Sequence, residues 1–385
     1  MRQGQVRATF WALALLGLLV VAAGNALAAP APIRIGVQGP ISGQWAYEGD
    51  GFVKAVQLLA DQVNAKGGVL GGRPIEIVTA DDQSDPVQAA VAAQRLVTQG
   101  VVAVIGSYAS SLTEPASTIY DEAGIVQVTP SSTATRLSQK GYQRFFRTCF
   151  LDDRQGLFAA EFITGTLKKK RVALIHDNTT YASGLADWTR RYLEERGAQV
   201  VFYDAITPGE RDFTATLTRV RASNPEAIYF TGYFPEGGLL VKQAKALGIT
   251  ATFMAGNATN NPEFVRIAGV DAARGTIITT EPIPSDLPYP EARQFIADYR
   301  ARYGQEPGSI WALMAADAFR VLVEAIQKSG SADPARIARY LHNDLKNFPG
   351  ITGPILGFDK NGDRLGTIHK AYIVNERGEI VPYQG

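Results

Sequence analysis

The amino-acid sequence predicts an α/β protein built as two doubly wound, Rossmann-like lobes. Three observations carry that prediction. β-rich runs alternate with helical stretches in two successive series, which implies parallel sheets with right-handed crossovers. The chain has 385 residues, enough for about two domains. After residue 280 the alternation stops and a proline-rich stretch leads into consecutive helices, so the tail must serve lobes already formed.

The first series opens with a strand at 33–37 and an amphipathic helix at 50–65, which Lys66-Gly67-Gly68 stops. A strand at 75–79, a helix at 86–98, a strand at 101–105, a helix at 113–123 and a strand at 125–128 complete it. The second series runs through a helix at 153–167, a strand at 171–175 and a helix at 185–196. It continues with 200–203, 213–222, 227–230 and 237–247, and ends in a strand at 252–254. Four prolines between 281 and 290 mark a linker. Helices follow at 290–303, 309–328 and 334–343, and Asn361-Gly362 signals a hairpin turn.

The N-terminus has a different character. Arg2 and Arg7 precede an uncharged apolar run at 10–23 and the small-x-small pattern Ala26-Leu27-Ala28. That order predicts a signal peptide at 1–28, cleaved near Ala28. The apolar run is shorter than the ~20 residues of a membrane span. Cys149 is the one cysteine, which excludes an intrachain disulfide and leaves no cysteine at the cleavage site for a lipid anchor. The expected location is therefore the periplasm. Lys+Arg 38 against Asp+Glu 37 offers no basic field for nucleic acid or an anionic membrane.

The sequence carries no nucleophile elbow, phosphate loop, zinc motif or complete dinucleotide fingerprint. The expectation is a protein without catalysis, cofactor or metal; the rival reading is an enzyme using His176 and Asp177 as an acid–base pair. Binding finds better support. In open α/β sheets, ligands sit beyond the carboxyl ends of the strands, near helix N-termini. The strand ending at Ile105 runs into Gly106-Ser107-Tyr108-Ala109-Ser110-Ser111, and the strand ending at Val128 into Thr129-Pro130-Ser131-Ser132-Thr133. Short hydroxyl residues there suit an anion. Ser111 with Glu114 matches a capping box, which leaves Ser110 and Thr133 as the better ligand candidates. Tyr181 and Tyr233 follow strands of the second series; each could close over a ligand or pack on a hinge.

With those residues in view, the chain resembles the periplasmic leucine/isoleucine/valine-binding proteins, the solute receptors of branched-chain amino acid ABC transporters. The resemblance rests on Gly39-Pro40-Ile41-Ser42-Gly43, Asn64-Ala65-Lys66-Gly67-Gly68, Val104-Ile105-Gly106 with Ser110-Ser111, and Pro115-Ala116-Ser117. Further carriers are Thr129-Pro130, His176-Asp177 with Tyr181, Asp204-Ala205-Ile206-Thr207 with Asp212-Phe213, and Gly232-Tyr233. It implies the type I periplasmic binding fold, two lobes joined by a three-segment hinge and closing on one ligand. The corresponding division is 33–151 plus 284–358 for the N-terminal lobe and 152–280 plus 362–385 for the C-terminal lobe.

The resemblance also implies site roles. Ser110 and the backbone near Ser131, Ser132 and Thr133 would hold a ligand carboxylate, with Thr133 also meeting the ammonium. Tyr181 and Tyr233 would belong to the closing lobe, and Tyr108, Glu48 and Trp311 would line the side-chain pocket. Two departures stand out. Asn257 occupies the family's usual acidic position for the ammonium, and Glu48 a position that is often aromatic. The family's disulfide positions are Ser84 and Ala109. The expected ligand is an amino acid, branched-chain or related, delivered by a monomer to a membrane permease. The alternative is an amide, urea or carboxylic acid lacking the α-amine.

Overall fold

The computed structural model describes residues 30–385, so the expected cleavage near Ala28 lies outside the described residues. No helix of the described residues is long and apolar enough to cross a membrane.

The first sheet contains β1 (Ile33–Gly39), β2 (Ile75–Asp81), β3 (Ala103–Ile105), β4 (Val126–Thr129) and β5 (Phe145–Arg147), in the order β2-β1-β3-β4-β5 and all parallel. Its central strands are apolar and almost wholly buried, as helices on both faces require. Between them run α1 (Ala46–Ala65), α2 (Pro86–Thr98) and α3 (Ser110–Glu122). Asp85 starts α2 by accepting the N–H groups of Val87 and Gln88, with Pro86 at the first helical position. Glycine is required just past α1, because Gly68 has φ +71° and a Cβ there would run into the Arg73 carbonyl.

The second sheet takes β6 (Arg171–His176), β7 (Gln199–Ala205), β8 (Ala227–Thr231), β9 (Thr252–Ala255) and β10 (Ile277–Thr280) in parallel. β11 (Lys370–Val374) and β12 (Ile380–Pro382) add an antiparallel edge, giving the order β12-β11-β10-β9-β8-β6-β7. Its helices are α4 (Asp152–Glu161), α5 (Thr180–Glu195), α6 (Thr214–Ala222), α7 (Phe234–Ala246), α8 (Pro262–Ala268) and α9 (Val270–Ala273). Thr179 caps α5 by accepting the Ala182 N–H at 3.2 Å, which starts that helix five residues before the expected 185.

From β10 the chain returns to the first lobe as α10 (Pro290–Tyr303), α11 (Ile310–Ser329) and α12 (Pro334–Asn343). Fifteen of the 20 residues of α11 are buried, so it is a core helix rather than a surface one. It packs along α1, while α12 lies by β4. Its buried Asp317 accepts the N–H groups of Ile351 at 2.6 Å and Thr352 at 2.9 Å, and the Thr352 hydroxyl at 2.6 Å.

The chain thus passes between the sheets three times: before α4, after β10 and before β11. The first and third passages are bolted together. Arg147 and Asp363 form a buried ion pair at 2.6 Å, and Arg364 donates to the carbonyls of Thr148 at 3.0 Å and Gly353 at 2.9 Å.

Ser111 is not a cap. Ala109 occupies the N-cap position of α3 without a side-chain bond, and both serines lie in the first turn. Glu114 turns away from the helix end to pair with Arg136 and to accept the Thr180 hydroxyl at 3.2 Å. A charge-assisted bond to a guanidinium outcompetes a backbone N–H for that carboxylate.

Candidate ligand-binding cleft

Strand order reverses between β1 and β3 in one sheet and between β6 and β8 in the other. The candidate residues follow the carboxyl ends of those strands and their neighbours. Glu48 comes after β1, Tyr108 and Ser110 after β3, and Ser131, Ser132 and Thr133 after β4. Tyr181 comes after β6, Tyr233 after β8 and Asn257 after β9.

The first-lobe loops form a tight hydroxyl scaffold. Ser131 Oγ donates to the Tyr108 carbonyl at 2.9 Å, and Ser132 Oγ lies 2.7 Å from Thr113 Oγ1. Arg147 donates to the Ser132 carbonyl at 2.7 Å and to the Ala134 carbonyl at 3.2 Å. Ser110 Oγ accepts the Ala134 N–H at 3.3 Å. The Ser131 and Ser132 hydroxyls are thereby used in holding the loop's shape. Thr133 differs: its buried Oγ1 is not used in the loop and, among the described residues, has only the Asp152 carboxylate as a neighbouring acceptor.

Across from this scaffold stand aromatic rings from both lobes. Trp45 packs on Tyr233 with centroids 4.4 Å apart, Tyr108 lies 5.8 Å from Tyr233, and Tyr181 lies 5.4 Å from it. All four rings are buried. The Tyr108 hydroxyl and Trp45 Nε1 have no hydrogen-bond partner. Burial, reinforced by Glu48, pushes the Tyr108 hydroxyl well above the usual phenol range, so it stays protonated and able to donate. Trp311 sits buried in the first turn of α11, two residues beyond Ser309.

Glu48 faces neither solvent nor a free pocket wall. Its Oε1 accepts from Asn261 Nδ2 at 2.7 Å, and its Oε2 accepts from Ser309 Oγ at 2.5 Å. Burial raises its pKa to about 7, against the pull of those two donors. Asn261 belongs to the second lobe and Ser309 to the first, so this carboxyl ties the lobes together. The expected pocket-lining carboxyl is thus already held by two protein donors.

Tyr181 donates to Asn257 Oδ1 at 2.8 Å, and Asn257 Nδ2 donates to Glu281 Oε2 at 3.2 Å. The proposed acid–base pair is not assembled: among the described residues, His176 Nδ1 accepts the Asn178 N–H and Asp177 the Thr179 N–H, each within its own turn.

The family description "Periplasmic binding protein" matches residues 32–377. The chain belongs to the periplasmic binding protein family. An amino acid binding protein of Pseudomonas aeruginosa is 37% identical over 372 residues, 94% of this chain and 96% of that one. The Leu/Ile/Val-binding protein of Escherichia coli is 37% identical over 353 residues, covering 91% and 93%. Among solved structures, the leucine binding protein of Thermotoga maritima superposes with TM-score 0.85 at 33% identity, covering 91% of this chain and 98% of that one. A branched-chain amino acid substrate binding protein of Streptococcus pneumoniae in complex with isoleucine gives TM-score 0.81 at 30% identity, covering 91% and 97%. The periplasmic binding protein fold thus accounts for both lobes and all three crossings.

Three groups in this periplasmic binding protein cleft have no signal in the sequence reading. Asp152, the first residue of α4, is fully buried, and among the described residues the Thr133 hydroxyl is the one side-chain donor beside its carboxylate, outside close hydrogen-bond geometry. Burial raises its pKa to about 7; the nearby Thr133 hydroxyl and Arg147 pull it down, and Asp153 and Glu281 push it up. Its N–H donates to the Thr133 carbonyl at 3.1 Å, which seats it beside the Ser131–Thr133 loop. An aspartate at a helix start is so ordinary a pattern that nothing local singles it out. Glu281 was read as part of a linker, yet it is fully buried behind Asn257. Trp45 was likewise passed over, although it supplies the closest aromatic contact to Tyr233.

Proposed function

We propose that this protein is a periplasmic receptor that captures an α-amino acid between its lobes and delivers it to the membrane permease of an ABC importer. The observation that carries the reading is the buried pair of Thr133 Oγ1 and the Asp152 carboxylate, which lie beside each other and, among the described residues, have no other close hydrogen-bond partner. A buried carboxylate without a partner costs several kcal/mol, and a ligand ammonium relieves that cost. The first turn of α3 and the Thr133 N–H, with the Ser110 hydroxyl, are offered to the α-carboxylate, while the Ser131 and Ser132 N–H groups are held by Thr129 Oγ1. Carboxylate on one side and ammonium on the other define an α-amino acid. The aromatic rings of Trp45, Tyr108 and Tyr233 then surround its side chain.

Site roles follow for Ser110, Thr133, Tyr181, Tyr233 and Asn257 as ligand contacts, with Tyr108 and Trp311 toward the side chain. The relatives that bind leucine, isoleucine and valine support an aliphatic or related ligand. We take the mature chain to begin after Ala28, to act as a monomer without catalysis, and to divide at 33–151 plus 284–358 and 152–280 plus 362–385. Binding favours the closed arrangement because the ligand touches both lobes, a population shift driven by differential affinity.

Titration calorimetry with the refolded, ligand-stripped protein tests the proposal. The panel pairs each amino acid with its amine-free acid and its amide. Heat from amino acids alone supports it. Heat only from amine-free acids or amides replaces it with a receptor for those solutes.

A further inference from the structure

Glu281 has a role that its place in a proline-rich passage conceals. It is fully buried, directly after β10, where the second passage between the lobes begins. Its carboxylate accepts from Asn257 Nδ2 at 3.2 Å and 3.5 Å and from Thr280 Oγ1 at 3.3 Å. Nearby His369 lies 3.8 Å away, and burial lowers its pKa to about 4, so it is a neutral ring at neutral pH. Among the described residues no arginine or lysine pairs directly with Glu281, the buried Arg364 acting on it from farther off, and the side-chain nitrogen directed at both its oxygens is that of Asn257.

An asparagine amide presents a donor on one side and an acceptor on the other, and its surroundings decide which way it turns. Here a carboxylate claims the NH2 group, which leaves Oδ1 on the side of the Tyr181 hydroxyl. That side is the cleft. Gln155, one turn after Asp152, adjoins the Tyr181 hydroxyl at Gly256. Without a fixed acceptor behind it, the amide could rotate and present NH2 to the cleft, repelling a ligand ammonium.

We propose that Glu281 is a positioning residue for the ammonium subsite: it locks the Asn257 amide with its oxygen toward the ligand and so selects for a solute carrying an amine. This rests on the amino-acid reading above. Asp152 and Asn257 Oδ1 then receive the ammonium together, with Tyr181 sharing the amide oxygen. Hydrogen bonds along such a chain polarise one another, so the buried carboxylate also strengthens Oδ1 as an acceptor.

The test compares affinities for the best-bound amino acid and for its amine-free analogue in the wild type, Glu281→Met and Glu281→Gln, each shown folded by circular dichroism. Methionine fills similar volume but accepts no hydrogen bond of comparable strength. It should weaken amino-acid binding about tenfold or more while leaving the analogue within about twofold. Glutamine can still accept from Asn257 Nδ2 and should recover most of the preference. Equal loss of both ligands in Glu281→Met reduces Glu281 to a structural residue and overturns the proposal. An unchanged preference, or a glutamine variant no better than the methionine one, overturns it as well. Should Glu281→Met fail to fold, Glu281→Gln decides: a retained preference for the amine supports the proposal, and an abolished one overturns it. Failure of wild-type protein to bind any amino acid would instead sink the proposed function.

Discussion

The two walls of the cleft are built on opposite principles. On the first lobe, the hydroxyls of Ser131 and Ser132 are consumed by the loop itself, and Arg147 anchors that loop from behind. At the start of the second lobe, where its N–H donates to the Thr133 carbonyl at 3.1 Å, Asp152 keeps a buried carboxylate with no close partner but the Thr133 hydroxyl. The Ser131–Ser132 stretch is satisfied by the protein and hence rigid; Asp152, with Thr133 Oγ1 beside it, is completed only by what it binds. A receptor needs both. A pre-shaped surface limits the entropy lost on capture, and an unsatisfied one supplies differential affinity for the closed state.

If the walls differ in this way, their mutations should appear in different measurements. The largest effect should come from Arg147→Met, which leaves Asp363 buried without its partner. It should cost about 3–5 kcal/mol in chemical denaturation. A variant as stable as the wild type would show that the first-lobe scaffold does not depend on the ion pair.

Asp152→Asn should do the reverse. Amino-acid affinity should fall by about 2–5 kcal/mol in calorimetry, while the ligand-free melting temperature holds or rises, because an unpaired buried acid has been removed. A fall in stability with unaltered affinity would break the contrast between the walls.

The same carboxyl should couple binding to pH. Its pKa is raised to about 7 in the ligand-free protein, so at pH 5–6 it carries a proton that an ammonium must expel. Affinity should therefore strengthen as pH rises toward 7, by at most about tenfold per unit, and then level off. Stability of the ligand-free protein should move the opposite way. Asp152, Asp177, Glu48 and Glu281 are all raised to about 7, so their stabilising contribution is present below the ordinary carboxylate range and lost as pH climbs through 7. Calorimetry in buffers of different ionisation enthalpy, repeated on Asp152→Asn, checks the assignment; a proton release that persists in the variant would move it elsewhere.

The smallest effect should be that of Glu48→Gln. Because Glu48 bonds Asn261 and Ser309 rather than a pocket, all ligands should weaken together by roughly 0.5–1.5 kcal/mol. A change in the ranking of ligands would return Glu48 to the specificity pocket.

How much of this was legible in sequence depended on range. The alternation of strands and helices is a local pattern, and it located the loops after β3, β4, β6 and β8 that carry Ser110, Thr133, Tyr181 and Tyr233. Asn257 was reached through resemblance, and its amide orientation only through contacts 24 and 76 residues away. Asp152 and Glu281 have no local signature, since an acid at a helix start and an acid before prolines both read as solvated. Their burial arises where the passages between lobes converge. Ser111 shows the converse: a sound local capping pattern yielded to Arg136, which only the tertiary fold brings to Glu114.

The bond between Glu48 and Asn261 has a consequence for the transport cycle. Both partners are protein groups on facing lobes, so it forms whenever the lobes meet, with or without cargo. Some of the drive toward closure is therefore a fixed bias, present in every empty molecule. A permease that sensed shape alone would spend a share of its encounters on unloaded receptors. Abundance in the periplasm, a virtue for scavenging scarce nutrient, would then become competition at the membrane once supply runs out.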